Sequence, residues 1–370
     1  MGKIVLVVVA LGAFLTAGTR GLAKGDPDVD SLRAEGPRGL EAFLAEHGRE
    51  LSKRGPASAR LRTILDSLCE QYDCASSRLF WYTDLEAAKK EAARTGRPIL
   101  SLHLLGKLSE ELSCANSRFF RETLYSDLEI ANHLRSHFVL HWRSLRPVPV
   151  VTIDFGDGRR AKRTVTGNSI HYVLDAEGRL IDALPGLYGP PVFLAKLKEA
   201  EGASQKSSVL SGAERSTFLR RYHASRLEAI AEAWAQDLER IGRKPSSRDF
   251  ERLEAATDER AWSAVADLHR VETRAAFVAT TLARSEYPTA QEAAPIARTK
   301  RVVESPVLRR LAGLGQAVAL DTVRNEYLLH RQIHEWLIGT GDGLSLERFN
   351  EGVYAKLFLT PLDDPWMGLF

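Results

Sequence analysis

The sequence predicts an α/β protein, with a central sheet in its middle third, a helical hairpin before it and an all-helical stretch after it. Three observations lead there. Short, densely apolar runs at Ile99–Leu105, Phe138–Trp142, Ile170–Leu174 and Leu180–Leu184 have the length of buried strands rather than of helices. Helical patterns alternate with them in the order helix, strand, helix, strand, hairpin, helix, which is the signature of a layered α/β unit. Beyond Gly212 the apolar residues recur at helical spacing, with no convincing strand.

Taken in order, the chain opens with Lys3, an apolar run from Ile4 to Leu15, and the small residues of Gly21-Leu22-Ala23. This pattern predicts a signal peptide cleaved after Ala23, and hence a periplasmic or secreted protein. The competing reading is an uncleaved anchor, but the run falls short of the roughly 20 residues that span a bilayer. No membrane span is expected in the mature chain. Formal charge is +3 from 51 Lys+Arg against 48 Asp+Glu, so bulk electrostatics offers no attraction for nucleic acid or an anionic membrane. The short cluster Arg159-Arg160-Ala161-Lys162-Arg163 reads as a solvated strand edge or turn.

Residues 24–78 read as an amino-terminal helical segment. Gly36–Leu51 places Leu40, Phe43 and Leu44 on one face, and Ala59–Gln71 does the same for Leu61, Ile64, Leu65 and Leu68. Residues 79–200 form the α/β unit. Its helices are expected at Asp84–Arg94, with Thr83 or Asp84 as N-cap, at Cys114–Leu124, at Asp127–Ser136 and at Pro191–Ala200. Hairpins are expected around Gly156-Asp157-Gly158 and around Asp175–Arg179. Residues 201–213, rich in Ser and Lys, read as a linker, and 214–345 as a helical domain built from Glu214–Ile241, Ser247–Ala256, Arg260–Arg284 and Leu308–Ile338. Residues 346–370 read as an extended tail; from Leu357 on it is apolar and aromatic with two prolines and reads as a strap that buries Phe358 and Trp366, the alternative being an exposed partner-binding tail.

The three cysteines are Cys69, Cys74 and Cys114. An odd count in an oxidising compartment suggests one disulfide and one lone thiol. Cys69 and Cys74 are the expected pair, which requires the helix to end between them, because five residues along a regular helix do not face each other. Cys114 stands at the start of a helix, where unpaired N–H groups and the dipole favour thiolate, and Ser113 is placed to cap that helix.

The runs Trp81-Tyr82-Thr83-Asp84-Leu85-Glu86-Ala87-Ala88, Arg97-Pro98-Ile99-Leu100-Ser101-Leu102 and Ser113-Cys114-Ala115-Asn116-Ser117-Arg118-Phe119-Phe120 together resemble the divergent thioredoxin-like proteins. The resemblance covers about residues 79–200. It implies a thioredoxin-like central sheet and a redox site at Cys114, with Ser113 and Ser117 shaping it. Two departures stand out: the Cys-x-x-Cys pair is here Cys114-Ala115-Asn116-Ser117, and Asn168-Ser169-Ile170 stands where the family carries a cis-proline. A Cys-x-x-Ser site can attack a disulfide, but release needs a second thiol.

The leading expectation is therefore monothiol thiol–disulfide exchange through Cys114 on a protein thiol or disulfide substrate, with no cofactor. His103 and His171 are candidate neighbours of the thiolate, His103 lying on either face of its strand; His141-Trp142-Arg143 is a candidate for the same rim. The alternative is a non-catalytic binding or scaffold protein that keeps the fold. A third reading is a metal-binding helix: Glu326, His330 and His334 form an i, i+4, i+8 stripe, although without a His-Glu-x-x-His motif. No phosphate loop, Ser-His-Asp order or paired-carboxylate motif is found.

Overall fold

A computed structural model describes residues 27–53, 55–165, 167–244, 260–270, 314–340 and 344–366. The expected signal peptide, the helix at Ser247–Ala256 and the last four residues lie outside these, as do parts of the helices expected at Arg260–Arg284 and Leu308–Ile338.

The amino-terminal part is a small helical unit. After α1 (Val29–Ala34), α2 (Pro37–Leu51) and α3 (Pro56–Cys69) each begin with a proline at the first turn, where its missing N–H costs nothing. Leu40, Phe43, Leu65 and Leu68 form their shared core, together with Phe80 from the chain entering the sheet. Helix α3 stops at Cys69 because Glu70 turns left-handed (φ 52°), and the short α4 (Cys74–Ser77) follows. That break brings Cys69 and Cys74 to a Cα separation of 6.3 Å, and they form a disulfide. Arg33 then ties the unit to its neighbour, donating to the Leu68 carbonyl at 2.7 Å and to the Trp81 carbonyl at 3.0 Å.

Helix α5 (Leu85–Thr95), capped by Asp84 and ended by Gly96 at φ 69°, leads into β1 (Ile99–Leu105). Next come α6 (Ala115–Phe119), which continues as a π-helical turn through Leu124, α7 (Leu128–His137) and β2 (Val139–Arg146). An exposed hairpin, β3 (Val150–Asp154) and β4 (Arg160–Thr164), precedes β5 (Ser169–Leu174) and β6 (Leu180–Pro185). The main sheet has the order β2-β1-β5-β6, with β1 parallel to β2 and β5 antiparallel to both β1 and β6. Every residue of β1 is buried, so both faces of the sheet are covered. The basic cluster lies on β4, where Arg159, Arg160, Lys162 and Arg163 are solvent-exposed.

Two expectations are corrected here. The stretch read as a linker is mostly helix: α8 (Pro190–Ser207) runs through Gly202, because Ala200, Ala203, Ser204 and Ser207 are small enough to bury against the body. Only a short turn separates it from α9 (Gly212–Arg240). The carboxyl end is not an extended strap from its start. Ser345 caps α11 (Leu346–Gly352), a π-helical turn follows through Leu357, and Val353, Tyr354 and Leu357 fill the core. Phe358 is half-buried, whereas Trp366 is 61% exposed.

Residues 314–324 are helical and pass through a π-helical turn (Asn325–His330) into α10 (Arg331–Thr340). Leu219, Val318, Ile333, Leu337, Phe349 and Val353 share one continuous core with the sheet. A second core, made by Trp234, Trp262, Val265, Val323 and Tyr327, lies within the helices. Among the described residues, no helix is long and apolar enough to cross a membrane.

Candidate functional site

Cys114 sits where the sequence places it, at the entry to the helix after β1, but the cap is different. Cys114 is itself the N-cap: its Sγ accepts from the Ser117 N–H at 3.4 Å, and the Ser117 hydroxyl donates to the Cys114 carbonyl at 2.8 Å. Ser113 does not cap. Its Oγ accepts from Arg121 Nη2 at 3.1 Å. Nor does the helix start make the thiol acidic. Cys114 is fully buried, and burial pushes its pKa above the ordinary value, outweighing the hydrogen bonds from Ser117. The α-helical segment here is only five residues long, too short to build a strong dipole.

The chain's own backbone and carboxyl end pack against the start of this helix and of β5. Gly167 passes so close to the helix start that a Cβ there would lie 2.8 Å from Asn116 Oδ1 and 3.3 Å from Ala115 Cβ. Asn116 Nδ2 donates to Ser169 Oγ at 3.1 Å. Asn168, in the position expected for a cis-proline, donates to Thr360 Oγ1 at 2.7 Å and accepts from the Tyr354 hydroxyl at 3.1 Å. Tyr354 is wholly buried; its phenol is pushed well up by burial, with Tyr172 and Cys114 adding to the shift. Arg146 holds the following segment through the carbonyls of Leu362 and Asp364 at 3.1 and 2.7 Å.

The histidines expected near the thiol are engaged elsewhere. Strand alternation sends His103 and His171 to opposite faces of the sheet. The His103 Nδ1 meets Asn350 Oδ1 on α11 at 3.2 Å, and Asn350 also accepts from Tyr172 at 2.9 Å. His171 Nε2 meets the Tyr125 hydroxyl at 2.6 Å and packs on Phe120 and Phe193. Tyr125 is the link to the sulfur, for a thiolate at Cys114 would raise its already elevated pKa further. His141 pairs with Ser101 Oγ at 2.7 Å inside the sheet rather than on a rim. Burial lowers all three imidazoles, His103 and His171 to about 3 and His141 to about 4, so they are neutral.

The stripe Glu326–His330–His334 lies in a second, buried constellation at the seam between sheet and helices. Asp182 on β6 accepts from the Tyr222 hydroxyl and lies 3.3 Å from His330 Nε2 and 3.8 Å from His334 Nδ1. His223 on α9 presents its Nδ1 to that of His334 at 3.0 Å. His330 Nδ1 meets Glu326 at 3.0 Å, and Lys196 on α8 reaches the other Glu326 oxygen at 2.6 Å. Burial would raise the pKa of Asp182, but the imidazoles of His334, His330 and His223 outweigh it and hold the carboxyl far below its usual range. Burial would likewise lower His330, yet Glu326 and Asp182 push it up to about 9. His223 is lowered by burial to about 4, and His334 well below its ordinary value.

Asp182 and His223 escaped sequence reading. The lone carboxylate in the apolar run Leu180-Ile181-Asp182-Ala183-Leu184 was a signal, since such a residue needs a buried partner. Nothing local marks His223. A further cluster lies nearer the surface, where His133 Nε2 and His137 Nδ1 stand 3.1 and 2.8 Å from the two oxygens of Glu201. No protein-family model, curated protein or solved structure matches this chain.

Proposed function

We propose that this protein is a non-catalytic binding protein that keeps a thioredoxin-like scaffold, rather than a thiol–disulfide oxidoreductase. The strand order β2-β1-β5-β6, with a helical crossover between the parallel pair and an antiparallel hairpin leading to a closing helix, supports the thioredoxin-like reading. The observation that carries the functional reading is the complete burial of Cys114, with the buried Tyr354 and Tyr125 phenols near enough for a thiolate there to raise them. A disulfide substrate must reach a thiolate in line with its S–S bond, and here the sulfur is both protonated and covered. Turnover also lacks a resolving thiol within the chain, because Cys69 and Cys74 are joined to each other. That bridge agrees with export to an oxidising compartment, as the amino-terminal pattern suggests.

The binding face this reading favours is the hairpin β3–β4. Val150, Val151, Ile153 and Phe155 are exposed on it beside Arg159, Arg160, Lys162 and Arg163. An apolar ribbon rimmed by cations suits an acidic protein surface with apolar anchors. The test is the native reactivity of Cys114. Iodoacetamide labelling at neutral pH is expected to be orders of magnitude slower in the folded chain than in denaturant, with no catalysed reduction of insulin disulfides. Labelling at the rate of a free thiol, together with disulfide turnover that Cys114→Ser abolishes, would overturn the proposal and restore the monothiol enzyme.

A further inference from the structure

We propose that Asp182, His223 and His334 bind a divalent transition-metal ion, zinc by preference. This goes beyond the scaffold reading and does not depend on it. The ligand atoms of Asp182, His223 and His334 lie within 4.8 Å of one another, and all three residues are buried. The separations between facing atoms are 3.0 Å for His223 to His334, 3.3 Å for His330 to Asp182 and 3.8 Å for His334 to Asp182. Ligands about 2.0–2.2 Å from a tetrahedral ion stand about 3.3–3.6 Å apart, so His223, His334 and Asp182 are spaced near the separations that one ion needs.

The surroundings are those of a metal site. Tyr222 donates to the Asp182 oxygen that His330 does not approach, fixing the rotation of the carboxylate. His330 turns its Nδ1 to Glu326 and its Nε2 to Asp182 Oδ1, so it helps to orient the carboxylate ligand. Glu326 is anchored in turn by Lys196 at 2.6 Å. His334 Nε2 is buried with no hydrogen-bond partner. Two imidazoles and one carboxylate suit zinc, and do not suit calcium or magnesium, which take oxygen ligands.

The ligands come from β6, α9 and α10, so one ion would clamp the helices to the edge strand of the sheet.

The test uses the full chain. Elemental analysis of the purified protein, then removal of metal by chelator and titration with Zn²⁺ and Co²⁺, is expected to give one equivalent bound and a melting temperature that falls on stripping and recovers on reloading. The Co²⁺ form should show the intense visible bands of tetrahedral nitrogen–oxygen ligation. Asp182→Asn and His334→Gln should each weaken binding by at least about 100-fold, while His133→Ala/His137→Ala, at the outer cluster, should leave the equivalent in place. Should the inner variants fail to fold, the Co²⁺ spectrum of the wild-type chain still decides. A folded wild-type chain that binds neither ion, or whose ion departs with His133 and His137, would overturn the proposal.

Discussion

Acidification is the perturbation whose effect the buried histidines let one calculate. His103, His141 and His171 lie inside the sheet layers, away from the candidate metal centre, and burial lowers them to about 3, 4 and 3. Unfolded, each would titrate near 6.5. Their folded pKa values are depressed, so below pH 6.5 the unfolded chain takes up protons that the folded chain refuses, and stability falls as pH falls. Between pH 7 and 5.5 the loss is about 1.3 kcal/mol per histidine, or about 4 kcal/mol for the three. Asp66 works the other way, its pKa raised to about 6 by burial. Its folded form gains a proton over the same range and returns at most about 0.8 kcal/mol, less after solvent screening. For these four groups the loss is about 3 kcal/mol, a large share of the about 5–15 kcal/mol that holds a typical domain together; in metal-free protein the lowered His223 and His334 increase it and the raised His330 partly offsets them. Urea unfolding followed by circular dichroism at pH 7 and at pH 5.5 measures it directly, on protein stripped of metal at both pH values. A difference under about 1 kcal/mol would refute the reasoning, because it would mean that these rings accept protons in place.

Three further outcomes are expected. Reducing the Cys69–Cys74 bridge, which closes a loop of only a few residues, should lower unfolding free energy by about 2 kcal/mol in urea, leaving β-sheet circular dichroism intact. Arg215→Ala should cost about 1–3 kcal/mol, since Arg215 is buried against Asp175 Oδ2 at 3.0 Å while that carboxylate keeps Arg179 and two backbone N–H groups; urea titration reads the change. Gly186→Ala should cost about 2–4 kcal/mol, because Gly186 has φ 73° and an added Cβ would lie 2.5 Å from Asn325 Nδ2; a drop in melting temperature reports it, and an unchanged melt would refute the contact.

Much of the α/β unit was legible in advance. Ile99–Leu105 is a strand at the residues expected, because a strand buried on both faces must be apolar throughout, and that density is visible without knowing any partner. The disulfide was legible too, since only two cysteines lie within local reach and a helix break was needed between them. The length of α8 was not. Ser and Gly in 201–213 look like linker chemistry, and only the surface they pack on makes small residues an advantage in a helix. The capping of Cys114 by its own sulfur was equally hidden, because local spacing offered Ser113 just as well.

The sequence by itself determined the element order, the lone thiol and the stripe Glu326–His330–His334, all properties of neighbours along the chain. Tertiary structure alone decided that Cys114 is fully buried, and that Tyr354 bonds Asn168 across 186 residues of sequence. It also decided that Asp182 and His223 join the stripe, the first lying 148 residues from His330 and the second 111 from His334. The physical reason is the same in both cases. A pKa or a metal affinity depends on what excludes water and which charges face each other, and those are set by packing between distant segments rather than by the identity of adjacent residues.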